Sequence, residues 1–433
     1  MKAVFRVGLV TLAFLVLWAI VVFFGTSEGW WKQTLAPRGD TAGFMAAAVK
    51  LVDSSNTGNA VFAMVDNGSV RGVHGVSVGE AVDVNTVFQT ASLSKWITAW
   101  GVMALVEERK LDLDAPVSTY LTRWALPPSN FDNSKVTARR LLSHTAGLTD
   151  GLGYAGFAPS AAVPSLEETL KRPDSDPGVN GTIGVGYDPG SAWQYSGGGY
   201  AILQLLVEEV SGESFEAFMQ RVVFRPLGMV RSSYSWAPVE GSTLATFYDV
   251  DSKPTPHYRY SAVAAVSLYT SVSDLTRFVQ ANLPGKNGEP AGRGVLAPKT
   301  IDEMWRPHAS KFSQDIWGLG TTLYASNNKG GFIVGHDGNR RKPPVNTAAR
   351  LNPATGNGIV ILETGTPILA TRLAGEWVFW ETGKVDFLAF TMAIPGMLRL
   401  IGLGSLVIVL AVPAIAWSIR RTSRSRSVNA SSA

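Results

Sequence analysis

Two uncharged apolar runs, one near each end of the chain, limit what it can fold into before any motif is considered. Val7 to Phe24 carries no charged residue over 18 positions, and Leu400 to Ile419 carries none over 20. At about 1.5 Å per residue the shorter run spans roughly 27 Å, close to the ~30 Å hydrocarbon core of a bilayer. In that solvent every backbone N–H and C=O must be bonded within the segment, so each run is expected to be a helix. A cleaved signal peptide would need a shorter apolar region and a small-residue cleavage site. Gly25-Thr-Ser-Glu-Gly-Trp-Trp31 supplies no such site, and its two tryptophans suit a membrane interface. Residues 1–31 are therefore read as an uncleaved anchor. Lys2 and Arg6 precede the first run, while Arg420, Arg421, Arg424 and Arg426 follow the second. Basic residues on both distal sides put both ends in the cytoplasm, with about Gly29 to Lys384 outside the inner membrane. Residues 385–419 are read as an interfacial stretch, Phe387 to Leu398, leading into a second span. The competing reading is a single N-terminal anchor, with Phe387 to Ile419 folded onto the domain or lying along the membrane surface. Residues 420–433 form a basic cytoplasmic tail.

The net charge of +4 equals those four terminal arginines, so the rest of the chain is formally neutral and carries no nucleic-acid footprint. Cysteine is absent, which removes disulfides, thiolate metal sites and cysteine nucleophiles. His74, His144, His257, His308 and His336 show no metal-ligand spacing, so neither a metal nor another cofactor is expected. The expected partners are a small-molecule or peptide substrate and the lipid bilayer, with the oligomeric state left open.

Residues 32–384 form the expected domain between the spans. Thr41 to Asp53 has helical periodicity, and Ala60 to Val65 with Ser69 to Val76 reads as a hairpin about Asp66-Asn67-Gly68. From Leu111 to Arg231 helices and loops dominate, including Tyr200 to Val210 and Phe215 to Phe224. Ser271-Val-Ser-Asp274 opens a further helix as a capping box. Strand patterns return at Gly318 to Tyr324, Gly331 to Gly335, Thr347 to Leu351 and Gly358 to Leu362, before a closing helix at Leu369 to Trp380. Strands at both ends of a helical middle predict an α/β fold of the α+β kind, one sheet with a mainly helical insertion.

Within it, Phe88-Gln-Thr-Ala-Ser92-Leu-Ser-Lys95 stands out. Residues three apart on a helix share a face, so the Lys95 amine reaches the Ser92 hydroxyl. A serine needs a neighbouring base, and a buried lysine becomes one because desolvation disfavours its charged form. An isolated Ser-x-x-Lys is usually a helix cap and a surface lysine. Here Ile97, Val102, Leu105 and Val106 turn the helix into the core, where a surface lysine has no place. Two other patterns fail on context. Gly75-Val-Ser77-Val-Gly79 matches a nucleophile elbow, but Glu80 to Asn85 is a poor helix start, so Ser77 is read as a strand residue. Gly151-Leu-Gly-Tyr-Ala-Gly156 matches a dinucleotide fingerprint, but no strand precedes it and Pro159 interrupts any helix after it.

These residues resemble the serine beta-lactamase and penicillin-binding superfamily, in particular its class C and esterase-like branch, from about Thr41 to Trp380. Ser92-Leu-Ser-Lys95 is similar to its first motif, Leu141 to Leu148 to its Leu-Leu-x-His-x-x-Gly-Leu segment, and Gln194-Tyr195-Ser196-Gly197 to its Tyr-x-Asn motif. His336-Asp337-Gly338 fills the place of Lys-Thr-Gly in a histidine variant, with Lys329-Gly-Gly331 as a rival. The resemblance implies a beta-lactamase/transpeptidase-like antiparallel sheet flanked by helices. It implies Ser92 as acylated nucleophile, Lys95 as its base, Tyr195 as proton shuttle, and the N–H groups of Ser92 and Asn339 as oxyanion hole beside His336 and Gly338. His144 is read as structural. Gly197 and His336 depart from the asparagine and lysine of the lactamases, which argues for esters or D-amino-acid peptides over beta-lactams. A non-catalytic penicillin-binding-like sensor and a true beta-lactamase are the alternatives.

Overall fold

Asn67 and Gly68 close the first hairpin with φ of 48° and 70°, the two left-handed positions that an Asn-Gly type turn demands. A computed structural model of the chain describes residues 2–150, 156–171, 183–235 and 242–430. The fingerprint-like Gly151–Gly156 stretch lies outside the described residues except for its last glycine. The chain divides into two units, Leu35–Thr382 and the pair of segments Met1–Thr34 and Gly383–Ala433.

In the larger unit the strands, in chain order, are β1 (Asn59–Asp66), β2 (Ser69–Ser77), β3 (Val87–Gln89), β4 (Phe247–Tyr248), β5 (Pro254–Thr255) and β6 (Tyr269–Ser271), followed by β7 (Ala309–Lys311), β8 (Gln314–Trp317), β9 (Thr322–Ser326), β10 (Phe332–Arg341), β11 (Pro344–Asn352) and β12 (Asn357–Thr364). Eight of them make one antiparallel sheet in the order β2-β1-β12-β11-β10-β9-β8-β7. The N-terminal hairpin joins the C-terminal strands through β1 and β12, from Asn59 opposite Thr364 to Val65 opposite Gly358. β11 is buried along its whole length, as a central strand covered on both faces must be. The helix Thr41–Ser55 packs on the closing helix Leu369–Thr382, with the Phe44 and Trp380 rings 4.9 Å apart. A second layer joins Ser94–Glu107 to Val272–Ala281, where Phe278 meets both Trp96 and Trp100 at about 5 Å. The helical insertion carries Ala138–Leu142, Gly198–Ser211 and Phe215–Met219.

Three expected boundaries shift. β10 does not stop at Gly335 but runs to Arg341, so His336 to Asn339 lie within the strand. Its pairing with β11 continues to Arg341 opposite Pro344 through backbone bonds, which the polar sequence of that stretch does not announce. The expected strand at Gly318–Tyr324 becomes β9, four residues later, and β7 and β8 are too short and polar to show a period. Phe215 to Phe224 begins as an α-helix and relaxes into a π-turn from Gln220.

The smaller unit is an antiparallel pair of helices, Lys2–Ser27 and Phe387–Ala430. Trp18 donates to Leu400 O at 3.3 Å, Phe23 meets Phe390 edge-on at 5.9 Å, and Lys384 pairs with Glu28 at 3.2 Å. Gly404 leaves room for the Trp18 ring, since a Cβ there would fall 2.1 Å from Trp18 Nε1. Phe387 to Leu398, expected as a separate interfacial stretch, is continuous with the second apolar run. Its leucines, alanines and methionines favour helix, and Pro395 and Pro413 each remove one bond without ending it. Both helices are long and apolar enough to cross a membrane by length and composition.

Candidate active site

The turn that presents Ser92 is held in a conformation the backbone resists. Ala91 has φ of 49°, a left-handed value that a residue with a Cβ adopts only under constraint. The constraint is a ring of hydrogen bonds. Thr90 N–H donates to Leu268 O, Ser94 Oγ donates to Ala91 O at 2.6 Å, and Leu268 N–H donates to Ser94 Oγ at 3.0 Å. Ser92 therefore sits in a short 3₁₀ turn, Ala91–Leu93, just before the helix begins at Ser94.

Lys95 follows on the first turn of that helix and is fully buried. Its Nζ donates to Ser92 Oγ at 3.1 Å and to Ala265 O at 2.8 Å. Burial pulls its pKa down to about 7, against an upward pull from the Asp150 carboxylate. The amine also lies 5.1 Å over the Tyr195 ring and 5.5 Å over Tyr200. Tyr195 is hydrogen-bonded to Ser92, which lowers its pKa, but burial dominates and drives it well above the usual phenol value. His144 packs 4.3 Å beneath Tyr195 and accepts the Ser196 N–H at Nδ1, 3.2 Å away. Burial and the neighbouring Lys95 keep it neutral.

β10 supplies the third side. His336 Nδ1 lies 2.6 Å from Asp337 O, which fixes the proton on Nδ1 and leaves Nε2 as an acceptor. Burial first, then Lys95, pushes the His336 pKa down to about 4. Asp337 points away from this cluster, taking Arg350 at 3.0 Å and the Tyr324 hydroxyl at 2.6 Å. Gly338 is required by contact: a Cβ there would lie 1.9 Å from Thr90 O, so only glycine lets β10 pack against the turn that carries Ser92. Asn339, next in the strand and opposite Asn346 of β11, donates its side-chain amide to Pro367 O. Thr347 Oγ1 donates to Thr90 O at 2.7 Å and ties β11 to the same turn.

The structure thus brings Ser92, Lys95, Tyr195 and His336 together, with Gly338 directly against the Ser92 turn. It does not bring in the rivals. Lys329 is exposed in the loop between β9 and β10. Ser77 ends β2, and its Oγ donates to Asn59 Oδ1 at 2.5 Å with no base beside it. Asp150 escaped sequence reasoning. Its buried carboxylate takes Ser196 Oγ at 2.5 Å and Gly198 N–H at 2.6 Å, holding the Tyr195-Ser196-Gly197 turn from below. Trp193 and Trp317 complete an aromatic wall with Tyr195 and His144. Among the described residues, no group of three or more His, Asp or Glu could hold a metal ion.

A sequence model of the beta-lactamase family matches residues 44–377. The penicillin-binding protein PbpX of Bacillus subtilis is 28% identical over 239 residues, 52% of this chain and 51% of that protein, so the chain spans about half the length of this relative. The esterase EstB of Burkholderia gladioli is 32% identical over 176 residues, 37% of this chain and 41% of the enzyme. Among solved structures, the octameric penicillin-binding protein homologue of Pyrococcus abyssi superposes with a TM-score of 0.64 at 23% identity, covering 80% of this chain and 78% of the other.

Proposed function

Since the chain belongs to the beta-lactamase family, we propose that it is a serine hydrolase that cleaves an ester or amide through an acyl-enzyme on Ser92. The observation that carries this reading is Lys95: a fully buried amine 3.1 Å from Ser92 Oγ, with a pKa of about 7. At neutral pH about half of it is unprotonated and able to accept the hydroxyl proton. Ser92 Oγ then adds to the substrate carbonyl, and the N–H groups of Ser92 and Asn339 receive the negative charge on the carbonyl oxygen. Collapse expels the leaving group, which takes a proton from Tyr195, itself resupplied from Lys95. The raised Tyr195 pKa favours this relay by a neutral phenol over a standing phenolate. Water then repeats the sequence on the acyl carbonyl, with Lys95 and Tyr195 returning the proton to Ser92.

The substrate preference follows from two absences. Gly197 offers no side-chain amide, and His336, with a pKa near 4, offers no cation to a substrate carboxylate at the third-motif position. A polar substrate group left unpaired in a cleft costs about 1–3 kcal/mol. Short acyl esters or D-amino-acid peptides are therefore expected to turn over better than penicillins, in keeping with relatives named as esterase and D-alanyl-D-alanine carboxypeptidase. The test is a panel of aryl esters, D-amino-acid peptides, penicillins and cephalosporins on purified protein. Repeated turnover of an ester or D-peptide is expected. Stoichiometric labelling without turnover would leave a sensor, and fast cephalosporin hydrolysis would make the protein a beta-lactamase.

The two apolar helices support a membrane-anchored form with both ends in the cytoplasm and residues of about 29–384 outside. A reporter fused after Ala433 tests this. A phosphatase active only when exported should be silent there, and activity would refute the second crossing.

A further inference from the structure

The hairpin joining β7 to β8 has two features that the packing of the domain does not require. Its tip, Lys311-Phe312-Ser313-Gln314, turns through Phe312 and Ser313 at φ of 53° and 62°. Left-handed values at both central positions suit Asn-Gly, and a bulky aromatic in that region is an outlier. Yet Phe312 is 87% exposed, so it gains no burial in return. The second feature is Lys311, whose Nζ lies 5.1 Å over the Trp193 ring and 5.7 Å over the Phe312 ring. Asp315, the carboxylate on the same hairpin, accepts from Ser310 Oγ at 2.7 Å instead of pairing with this ammonium. Trp193 in turn packs at 6.1 Å against Tyr195 and at 5.7 Å against Trp317, which meets His336 at 5.3 Å. The ammonium is therefore one ring removed from the phenol that is bonded to Ser92. Ser92, Trp193 and Tyr195 are each only half-buried.

We propose that Lys311, Phe312 and Trp193 form a substrate subsite at the mouth of the Ser92 cleft that takes a carboxylate carried by the substrate. This rests on the assignment of Ser92 as nucleophile. The third-motif position holds a neutral imidazole, so a charge for a substrate carboxylate has to come from another element. Lys311, an exposed residue whose ammonium is held over two rings, supplies it. Phe312 and Trp193 give the apolar walls for the chain that links the carboxylate to the scissile group. Strain at the hairpin tip is then the cost of setting an aromatic in the solvent where a ligand will cover it.

The experiment uses the full-length Ser92→Ala protein in detergent and two near-isosteric probes, mono-p-nitrophenyl glutarate and p-nitrophenyl valerate. Calorimetric titration should show a preference for the anionic ester that weakens in 0.5 M NaCl. Adding Lys311→Met should cut the preference ratio by about fivefold, the upper range for an exposed charge pair, and Lys311→Arg should keep it. Equal affinities for the two esters, absent binding of both, or a preference unmoved by Lys311→Met would each overturn the subsite. Because the Ser92→Ala protein reads binding without turnover, a wild-type protein that shows the preference but hydrolyses neither ester overturns only the hydrolase reading.

Discussion

Ser92→Ala should abolish turnover, lowering kcat/KM on the best ester by on the order of 10⁵-fold or more. The hydroxyl oxygen is the atom that becomes acylated, and no neighbouring group replaces it: Lys95 is buried behind it, and the Tyr195 phenol has a strongly raised pKa. The fold should survive the change. Ser92 Oγ contributes a 3.1 Å hydrogen bond to Lys95, worth about 1 kcal/mol, while the turn itself is held by Thr90, Ser94 and Leu268. Melting temperature should accordingly move by only a few degrees. Labelling by a serine-reactive fluorophosphonate, read by intact mass, should disappear with the activity. Ser77→Ala is the control, because Ser77 sits in the glycine-flanked serine motif, donates to Asn59 Oδ1 and accepts the Gly79 N–H. If Ser92→Ala kept its rate and Ser77→Ala lost it, the nucleophile assignment would fall.

How much of this could be read from the residues depended on whether the signal was local. Asn67-Gly68 was legible because only a few residue types tolerate two successive left-handed positions, and those positions are what a two-residue hairpin needs. Ser92 and Lys95 were legible because a three-residue spacing on a helix is itself a geometry. The helix that carries Lys95, directly after the Ser92 turn, is buried on all sides from Ser94 to Leu105, so an apolar pattern with one lysine in it already marked an anomaly. The reach of β10 past Gly335 was not legible, because pairing with β11 and not side-chain alternation extends it. Asp150 was invisible for another reason. It meets Ser196 across 46 residues of sequence, and a single acid in a loop carries no period. The placement of Gly338 against Thr90 O is of the same kind, a tertiary contact that makes sense of the glycine only once two distant segments are seen together.

Lys95 should leave two signatures, one in rate and one in stability, that point in linked directions. The acylation rate needs the neutral amine, so kcat/KM should rise about tenfold per pH unit below about 7 and level off above it. Stability follows from comparing folded and unfolded chains. A lysine of ordinary pKa 10.5 is brought to about 7 by burial, which corresponds to a destabilisation of about 5 kcal/mol when both states are protonated. That cost is complete below pH 7. Between pH 7 and 10.5 the unfolded chain holds a proton that the folded chain has released, so stability rises with pH across that window. The large apolar burial beside the amine makes the cost bearable, since Trp96 and Trp100 are fully buried and each removes roughly 200 Å² from water, worth about 5 kcal/mol. Lys95→Met keeps the volume and removes the charge, but leaves Ala265 O without its donor, a loss of about 1–3 kcal/mol. The variant should therefore be inactive and more stable than the wild type by about 2–4 kcal/mol at pH 6, an advantage that shrinks toward zero near pH 9. Denaturant melts at the two pH values, with rates from pH 5.5 to 9, decide the matter. A flat rate profile, or a Lys95→Met protein less stable than wild type at pH 6, would mean that Lys95 is not the titrating base, whatever its distance from Ser92.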